Sequence, residues 1–182
     1  MEFTKGLNKT KVLISFAIYQ LIYRNVDFES ITVKDICETA GVSRMSFYRY
    51  YEKKEDIFID FCDEKFAEFY DDYQKSENKS GHAFVVGLFH YFKKYSRELL
   101  ILKKANRTNL LMNQFNGYAK YAINRWKAVK ESVYYSPVLP AFISGGFFNV
   151  LMNWIDNGMK EDELELTEQM FALFPLFTEK SE

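Results

Sequence analysis

Cysteine, proline and strand-like alternation are scarce in this sequence, and each shortage excludes a class of protein. The 182 residues include only two cysteines, Cys37 and Cys62. Two are too few for a disulfide framework, and neither has a partner at metal-ligand spacing, so we predict that both are small buried apolar residues. The three prolines, Pro137, Pro140 and Pro175, all lie in the last third of the chain. Apolar residues recur at spacings of three and four rather than two, which predicts an all-helical protein.

A complete targeting or membrane signal is also missing. The stretch "VLISFAIYQLI" at 12–22 follows several lysines, as a signal peptide does, but no small-residue cleavage site comes after it. The other long apolar run, at 141–152, is too short to span a bilayer. We therefore predict a cytoplasmic protein without a membrane partner.

Signatures of catalysis are absent from the sequence. It contains no glycine-rich phosphate loop, no nucleophile elbow and no paired histidine and carboxylate. His82 and His90 are eight residues apart, with no carboxylate or thiol at ligand spacing on the same helix face. We predict no metal site, no cofactor and no enzymatic activity; an enzyme on a helical scaffold is a remote third reading.

Charge is nearly balanced over the whole chain but unevenly distributed along it. The net charge of −1 identifies no partner. Residues 1–54, however, hold nine basic and six acidic side chains, and the remaining residues hold 15 basic and 19 acidic ones. A basic N-terminal segment on an acidic body indicates a polyanion bound at one end.

Capping residues and breaks divide the chain into about nine helices. The first helix is predicted at 8–25, and Thr32 with Asp35 forms a capping box that begins the second. Gly41 ends that helix, Ser43 begins a third, and a long fourth begins near Lys54. After the polar break at 74–81, further helices are predicted at 82–95, 97–105, 107–133, 138–157 and 163–178.

Two short helices joined by a tight glycine turn form a helix-turn-helix, whose second helix enters the major groove of DNA. On a helical wheel of 43–51, Phe47 lies with Tyr50 and Tyr51 on an aromatic face that can pack inward. Met45 and Arg49 lie on the opposite face. A surface of arginine, methionine, tyrosine and serine suits base edges, thymine methyl groups and phosphates.

The segment "ITVKDICETAGVSRMSFYRYYEKKEDIF" at 31–58 closely resembles the DNA-binding segment of the TetR family of bacterial transcriptional regulators. The matching pattern is T-V-x-D-I, A-G-V-S, F-Y-x-Y-Y and K-K-E-D. The resemblance implies a nine-helix, mostly dimeric regulator with a DNA-binding domain, here 1–54, and an effector-binding and dimerisation domain, here 55–182. Asp27 departs from the usual glycine, which is tolerable because aspartate can adopt a left-handed conformation. Cys37 replaces a common alanine.

The resemblance also implies which residues contact DNA. Thr32, Tyr48 and Lys54 would hold phosphates, and Lys34 could meet either phosphate or base. The complete predicted set is Thr32, Lys34, Ser43, Arg44, Met45, Ser46, Tyr48, Arg49 and Lys54. Within it, the residues implied to face bases are Arg44, Met45, Ser46 and Arg49.

The aromatic side chains of the body could form a solid core or line a ligand pocket. The resemblance implies that some of them border an effector site between helices five to eight. The effector-site candidates are Phe92, Asn113, Phe115, Tyr118, Phe147 and Asn149. The stretch at 142–158 loosely resembles the subset of the family that includes regulators of dihydroxyacetone metabolism.

The predicted helix at 138–157 is apolar over most of its circumference, so it must be covered on two sides. In a chain this short, we predict that the second cover is another subunit, and Gly145 with Gly146 would allow close backbone approach. The predicted helix at 163–178 would complete a two-fold four-helix interface. The predicted interface residues are Ile143, Phe147, Val150, Leu151, Trp154, Met170, Phe174 and Phe177.

The sequence thus predicts a homodimeric, ligand-relieved repressor that binds a palindromic DNA operator and an unknown small-molecule effector. One alternative stays open, a ligand-free DNA-binding protein that is controlled by a protein partner. A void of a few hundred Å3 in the body would favour the sensor, and a filled core would favour the alternative.

Overall fold

The structure is a computed structural model that describes residues 8–123 and 138–173 of the chain. Within these ranges every regular element is helical, as predicted, and no strand is present. A single 3-10 turn, Phe28–Ser30, lies between the first two helices and is not foreseen by the sequence. The nine α-helices of the described ranges are α1 Lys9–Tyr23, α2 Val33–Ala40, α3 Arg44–Tyr48, α4 Asp56–Lys75, α5 Gly81–Lys94, α6 Ser96–Lys104, α7 Thr108–Ile123, α8 Val138–Asp156 and α9 Glu163–Ala172.

The predicted helix caps of the N-terminal region are confirmed. Thr32 and Asp35 form the reciprocal capping box at the start of α2. Gly41 follows α2 in the left-handed conformation, with φ 65° and ψ 34°, which a residue with a Cβ atom adopts at a cost. The Ser43 side chain accepts a hydrogen bond from the Ser46 amide at the start of α3. These local bonds fix where each helix of the pair begins and ends.

The account of Asp27 from the sequence is wrong. Asp27 has φ −62° and ψ 129°, an extended conformation open to any residue, and it precedes the Phe28–Ser30 turn. The left-handed residue of this connection is Asn25, with φ 65°. Asparagine tolerates this conformation better than most residues do. The chain therefore turns two residues earlier than the glycine comparison implied.

The contacts divide the chain into two compact units, which we call the head unit and the body unit. The head unit comprises Met1–Ala67 and Arg97–Phe115, so α6 and the first half of α7 belong with the first three helices. The predicted boundary after residue 54 separates a DNA-binding function from an effector-binding one. The contacts do not test it, so it stays a prediction. The core of the head unit is aliphatic and aromatic, and its most deeply buried members are Ile14, Ile18, Ile22, Ile31, Ile36, Phe47, Ile57, Phe58, Leu99 and Leu102.

The body unit comprises Glu68–Ser96 and Asn116–Glu182. Its core is built on aromatic contacts between α5 and α8. The Phe89 ring centroid lies 4.7 Å from that of Phe147 and 5.5 Å from that of Trp154. Trp154 also donates an indole hydrogen bond of 3.1 Å to the carbonyl oxygen of Glu161, beyond the end of α8. Burying Trp154 therefore leaves no indole N–H unpaired.

By length and composition, α8 is the one helix in the described ranges that could cross a membrane. One such helix is weak evidence, because the core helix of a soluble protein passes the same test. The buried residues of α8 include Phe147 and Trp154, whose rings contact Phe89. These contacts are those of a core helix.

Candidate nucleic-acid interface

The interface begins with the packing that holds α3 against α2. Phe47 is completely buried and is the side chain by which α3 enters the core of the head unit, which includes Ile36 of α2. Between the helices, the Val42 amide donates a 3.0 Å hydrogen bond to the Cys37 carbonyl. The geometry of the connection is therefore fixed by backbone bonds and one aromatic anchor, which leaves the opposite face of α3 available.

The outward face of α3 carries the residue types that the wheel predicts. Met45 is 77% exposed and Tyr48 is 57% exposed, which are large values for apolar and aromatic side chains. Arg44 and Arg49 are exposed and form no ion pair with the described residues. Two cations, a thioether and a phenol on one exposed face can meet phosphates, guanine edges and thymine methyl groups. An incidental solvated helix would not need Met45 there.

The hydroxyl groups of the predicted contact set are already engaged within the chain. Thr32 donates a 2.6 Å hydrogen bond to the Asp35 carboxylate and accepts one from the Asp35 amide. The Ser43 and Ser46 hydroxyls lie 2.9 Å apart. The side-chain and backbone hydrogen bonds from Thr32 hold the pKa of Asp35 below its usual value. These hydroxyls organise the helix starts, and any DNA contact they make is additional.

Two lysines of the predicted set have partners in the structure. Lys34 is exposed and its ammonium lies 3.7 Å from the Glu38 carboxylate, one turn along α2. Lys54 instead points inward. Its ammonium donates hydrogen bonds to the carbonyl oxygens of Phe28 at 2.5 Å, Ile31 at 2.8 Å and Glu29 at 3.2 Å. A lysine has three donors, so the turn before α2 occupies all of them. The predicted phosphate contact of Lys54 stays a prediction.

The C-terminal end of α3 is fixed by contacts that the sequence did not suggest. The Tyr51 hydroxyl donates a 2.9 Å hydrogen bond to the Asp60 carboxylate, which also accepts one of 2.5 Å from Lys11 of α1. The Asn8 amide donates a 2.8 Å hydrogen bond to the Tyr50 hydroxyl. Burial, followed by the Asp60 charge, raises the pKa of Tyr51 well above its usual range, so its hydroxyl stays protonated and donates. No local pattern reveals these pairs, because their partners are 9 to 49 residues apart.

Comparison with known families identifies the class of protein that carries this surface. A family model described as "Bacterial regulatory proteins, tetR family" matches residues 23–61, and one described as "Transcriptional regulator C-terminal region" matches residues 79–175. The second match alone covers more than half of the chain. The chain belongs to the TetR family. It is thus a DNA-binding transcriptional regulator, and regulators of this family are generally not enzymes and are expected to be soluble and cytoplasmic.

Solved structures share this TetR fold. Lin0861 from Listeria innocua is 16% identical, with a TM-score of 0.82 over 97% of this chain and 96% of that one. The fatty acid degradation regulator FadR from Bacillus halodurans is 23% identical, with a TM-score of 0.58 over 93% and 95%. FadR from Bacillus subtilis, solved with stearoyl-CoA, is 21% identical, with a TM-score of 0.53 over 89% and 96%. No curated protein matches the chain. These identities show the fold alone.

The effector-site candidates of this TetR-family chain do not share one environment. Asn113 and Phe115 belong to the head unit, and the other four belong to the body unit. Phe147 is buried, and its ring centroid lies 6.3 Å from that of half-buried Phe92. Asn149 is exposed, and its amide donates a 2.7 Å hydrogen bond to the Gly145 carbonyl. Tyr118 is half-buried. The effector assignment stays a prediction for all six residues.

The body unit contains an open groove of about 580 Å3, and none of the six candidates lines it. Its lining includes His82 and His90 of α5 and Glu163 of α9. His82 lies 3.0 Å from Glu168, and Glu163 lies 3.5 Å from His90 and 3.2 Å from Lys93. The sequence missed these pairs because they join two helices. Across the described ranges, no group of three or more potential metal ligands is found.

The predicted dimer residues of α8 fall largely on its inner side. Phe147, Leu151 and Trp154 are buried within the body unit itself. Ile143, Val150 and Met170 are half-buried. Phe174 and Phe177 lie outside the described residues. The outward face of α8 instead presents Val138, Phe142, Gly146, Asn149 and Asn153.

Proposed function

We propose that this TetR-family chain is a homodimeric repressor that binds a palindromic operator and is released from it by a small-molecule effector. The observation that carries the proposal is the exposed face of α3. Arg44, Met45, Tyr48 and Arg49 project from a helix whose inner face is anchored by buried Phe47. Such a rigid, preorganised surface suits readout of base edges in the major groove.

The outward face of α8 supports a two-fold dimer. Phe142 is 56% exposed, and a Cβ atom added at Gly146 would meet nothing within 4 Å, so the backbone there is open to a partner helix. An isologous contact through this face would pair the two copies of α8. Two recognition helices would then meet half-sites about 34–36 Å apart, or a multiple of that distance. The buried Phe147, Leu151 and Trp154 would support the interface from behind.

An effector releases the operator only if it binds the DNA-free conformation more tightly than the DNA-bound one. An effector that contacts the aromatic side chains of the body unit would itself be apolar or aromatic. Because FadR from Bacillus subtilis was solved with stearoyl-CoA, long-chain acyl-CoA is the first compound class to test. We expect an effector to raise the thermal midpoint and to weaken operator binding by about 1–3 kcal/mol of coupling free energy.

Selection of genomic DNA fragments by the purified protein tests the proposal. We expect enrichment of a sequence with two inverted half-sites, a footprint with two-fold symmetry, and reduced transcription in vitro from a promoter that contains it. Arg44→Ala combined with Arg49→Ala should abolish the enrichment, whereas the matched variant Arg97→Ala on α6 should retain it. A footprint covering a single half-site, or increased transcription, would overturn the dimeric repressor.

Release is tested on the selected operator. Acyl-CoA esters, free fatty acids and a broad metabolite set are added to the complex, and the operator affinity and thermal midpoint are measured together. A compound that changes both supports effector control. If no compound changes either quantity, control by a protein partner becomes the better account.

A further inference from the structure

Two cations from distant parts of the chain lie against the ring of Phe28. The Lys54 ammonium is 4.3 Å from the ring centroid, and the guanidinium carbon of Arg107 is 4.7 Å from it. Phe28 is buried at 2% exposure, and its ring also contacts Phe58 of α4 at 5.6 Å between centroids. Cation–π contacts are stronger when the partners are partly desolvated. Phe28 is thus a point where three segments of the head unit meet.

The same two cations also hold the backbone and the acidic side chain of this turn. The Lys54 ammonium donates hydrogen bonds to the carbonyl oxygens of Phe28, Glu29 and Ile31. Arg107 forms an ion pair with the Glu29 carboxylate and donates a hydrogen bond to it. That hydrogen bond lowers the pKa of Glu29, so the carboxylate is charged at neutral pH. The Phe28–Ser30 turn is therefore held by Lys54 through its carbonyl groups and by Arg107 through its side chains.

The position of this turn makes it important for DNA binding. Ile31 alone separates it from Thr32, the residue that caps α2. A second contact restrains the same connection, because Lys104 donates a 2.6 Å hydrogen bond to the side chain of Asn25. The junction between α6 and α7, at 104–107, thus holds the connection between α1 and α2 at two places. Movement of that junction would move the start of α2, and α3 with it.

We propose that Arg107 is a positioning residue for operator binding: through Glu29 and Phe28 it holds the turn that fixes where α2 begins. The inference rests on the operator binding of the proposed function, but Arg107 itself lies outside residues 23–61, which match the DNA-binding family model. It also assigns a role to the α6–α7 junction, which the sequence places in the body. We call the contacts of Arg107 with Glu29 and Phe28 the clamp. The clamp positions the turn but adds little to the stability of the fold, because an ion pair whose glutamate side chain is 67% exposed contributes little to folding.

The obvious rival is that Arg107 acts on DNA through its charge alone. The direction in which Glu29→Gln changes the affinity for DNA separates the two accounts. Glu29→Gln removes a negative charge from the head unit, so simple electrostatics predicts equal or tighter DNA binding. The clamp predicts weaker operator binding, because the guanidinium of Arg107 loses its partner and the turn loosens. Arg107→Gln weakens binding under either account.

The experiment measures affinities of the full-length protein for its selected operator and for random duplex DNA. We expect Glu29→Gln and Arg107→Gln each to weaken operator binding by about 3- to 10-fold, with a smaller change on random DNA. The double variant should be no weaker than either single variant, because both remove the same contact. Arg107→Lys, which keeps the charge but loses the planar group, should be intermediate. Tighter or unchanged binding by Glu29→Gln would overturn the proposal.

Amide hydrogen exchange tests the clamp without DNA. Exchange at Ile31 and Ile36, whose amides bond within the turn and the first turn of α2, should be at least several-fold faster in Arg107→Gln. The matched control is Arg97→Gln, which removes an exposed arginine of α6 that has no ion pair with the described residues. Unchanged exchange in Arg107→Gln would overturn the clamp. Wild-type protein that selects no DNA would refute the proposed function, while the exchange data would still decide whether Arg107 holds the turn.

Discussion

The Lys54 ammonium lies 4.3 Å from the centre of the Phe28 ring and donates a 2.5 Å hydrogen bond to the carbonyl oxygen of the same residue. A residue predicted to face phosphate thus also joins the start of α4 to the turn before α2. Three carbonyl groups depend on this one side chain. One lysine therefore holds the turn before α2, and its predicted phosphate contact would have to compete with these carbonyl partners.

Lys54→Met should lower the free energy of unfolding by about 1–3 kcal/mol, because it leaves carbonyl oxygens of the turn without a donor. Lys53→Met, at the exposed neighbouring position, removes the same charge and should have little effect. Denaturant unfolding of both variants measures the difference. If Lys54→Met were as stable as Lys53→Met and lowered the salt slope of DNA binding by about one counterion per subunit, phosphate would be the main partner of Lys54.

Arg49→Ala should relax the preference at one base-pair position of each half-site and weaken operator binding by about 1–3 kcal/mol per half-site. Arg49 is exposed at the end of α3 and can place its guanidinium on a guanine edge. Titrations against the operator and its single-base variants measure the change. The control is Lys53→Ala, which removes one exposed positive charge after α3 and should weaken all sequences alike, because charge acts on the DNA backbone whatever its sequence. A base preference that survives Arg49→Ala but changes in Lys53→Ala would show that α3 does not lie in the groove as proposed.

Gly146→Arg should leave the protomer folded and weaken self-association at least about tenfold. The added side chain meets open space within the chain, but it would stand in the face of α8 that we propose pairs with a second subunit. Sedimentation velocity over a range of micromolar concentrations measures the association. Operator affinity should fall together with it, because one subunit reads only half of the site.

Gly117→Arg is the matched control for this test. Gly117 is also a helical glycine, and a Cβ atom added there likewise meets nothing within 4 Å. We expect this variant to associate and bind operator as the wild type does. If the wild type, Gly146→Arg and Gly117→Arg associated equally strongly, the outward face of α8 would not be the interface.

The stability difference between wild type and Asp35→Asn should shrink as the pH falls. The hydrogen bonds from Thr32 depress the pKa of Asp35 in the folded chain. A depressed folded pKa contributes stability that is present above the unfolded pKa, about 3.9, and is lost as the pH drops through the folded value. Denaturant midpoints between pH 7 and pH 3 measure this. A difference that is constant over the whole range would show that the carboxylate charge is not what stabilises the α2 cap.

The helix boundaries of the N-terminal region were predictable because their causes are local. A capping box joins residues three apart, and a left-handed glycine ends a helix regardless of what packs on it. The exposed face of α3 was predictable for a similar reason. Phe47, Met45 and Arg49 are fixed on the wheel by helix geometry, and only one of these faces is suitable for a core. For these elements, the sequence carries nearly the whole physical cause.

The inward face of α8 was not predictable in the same way. The helix is apolar on two sides, and a wheel does not say which side meets its own core and which faces outward. The contacts with Phe89 decided this by drawing Phe147 and Trp154 inward. The interface prediction had assigned both residues to the contact with a second subunit, and that assignment stays a prediction. Tertiary packing chooses between apolar faces because hydrophobic burial is not directional.

The sequence by itself determined the helical class, the caps and the exposed side of α3, because hydrogen bonds and periodicity act over a few residues. Only the tertiary structure decided which groups the long lysine and arginine side chains contact. Lys54 reaches carbonyls more than 20 residues away, and Arg107 reaches a glutamate 78 residues away. A lysine or arginine has a long flexible side chain that can donate to many oxygen atoms. The residue type therefore does not predict which partner it contacts. Folding selects that partner by bringing Glu29 and the Phe28 carbonyl within reach.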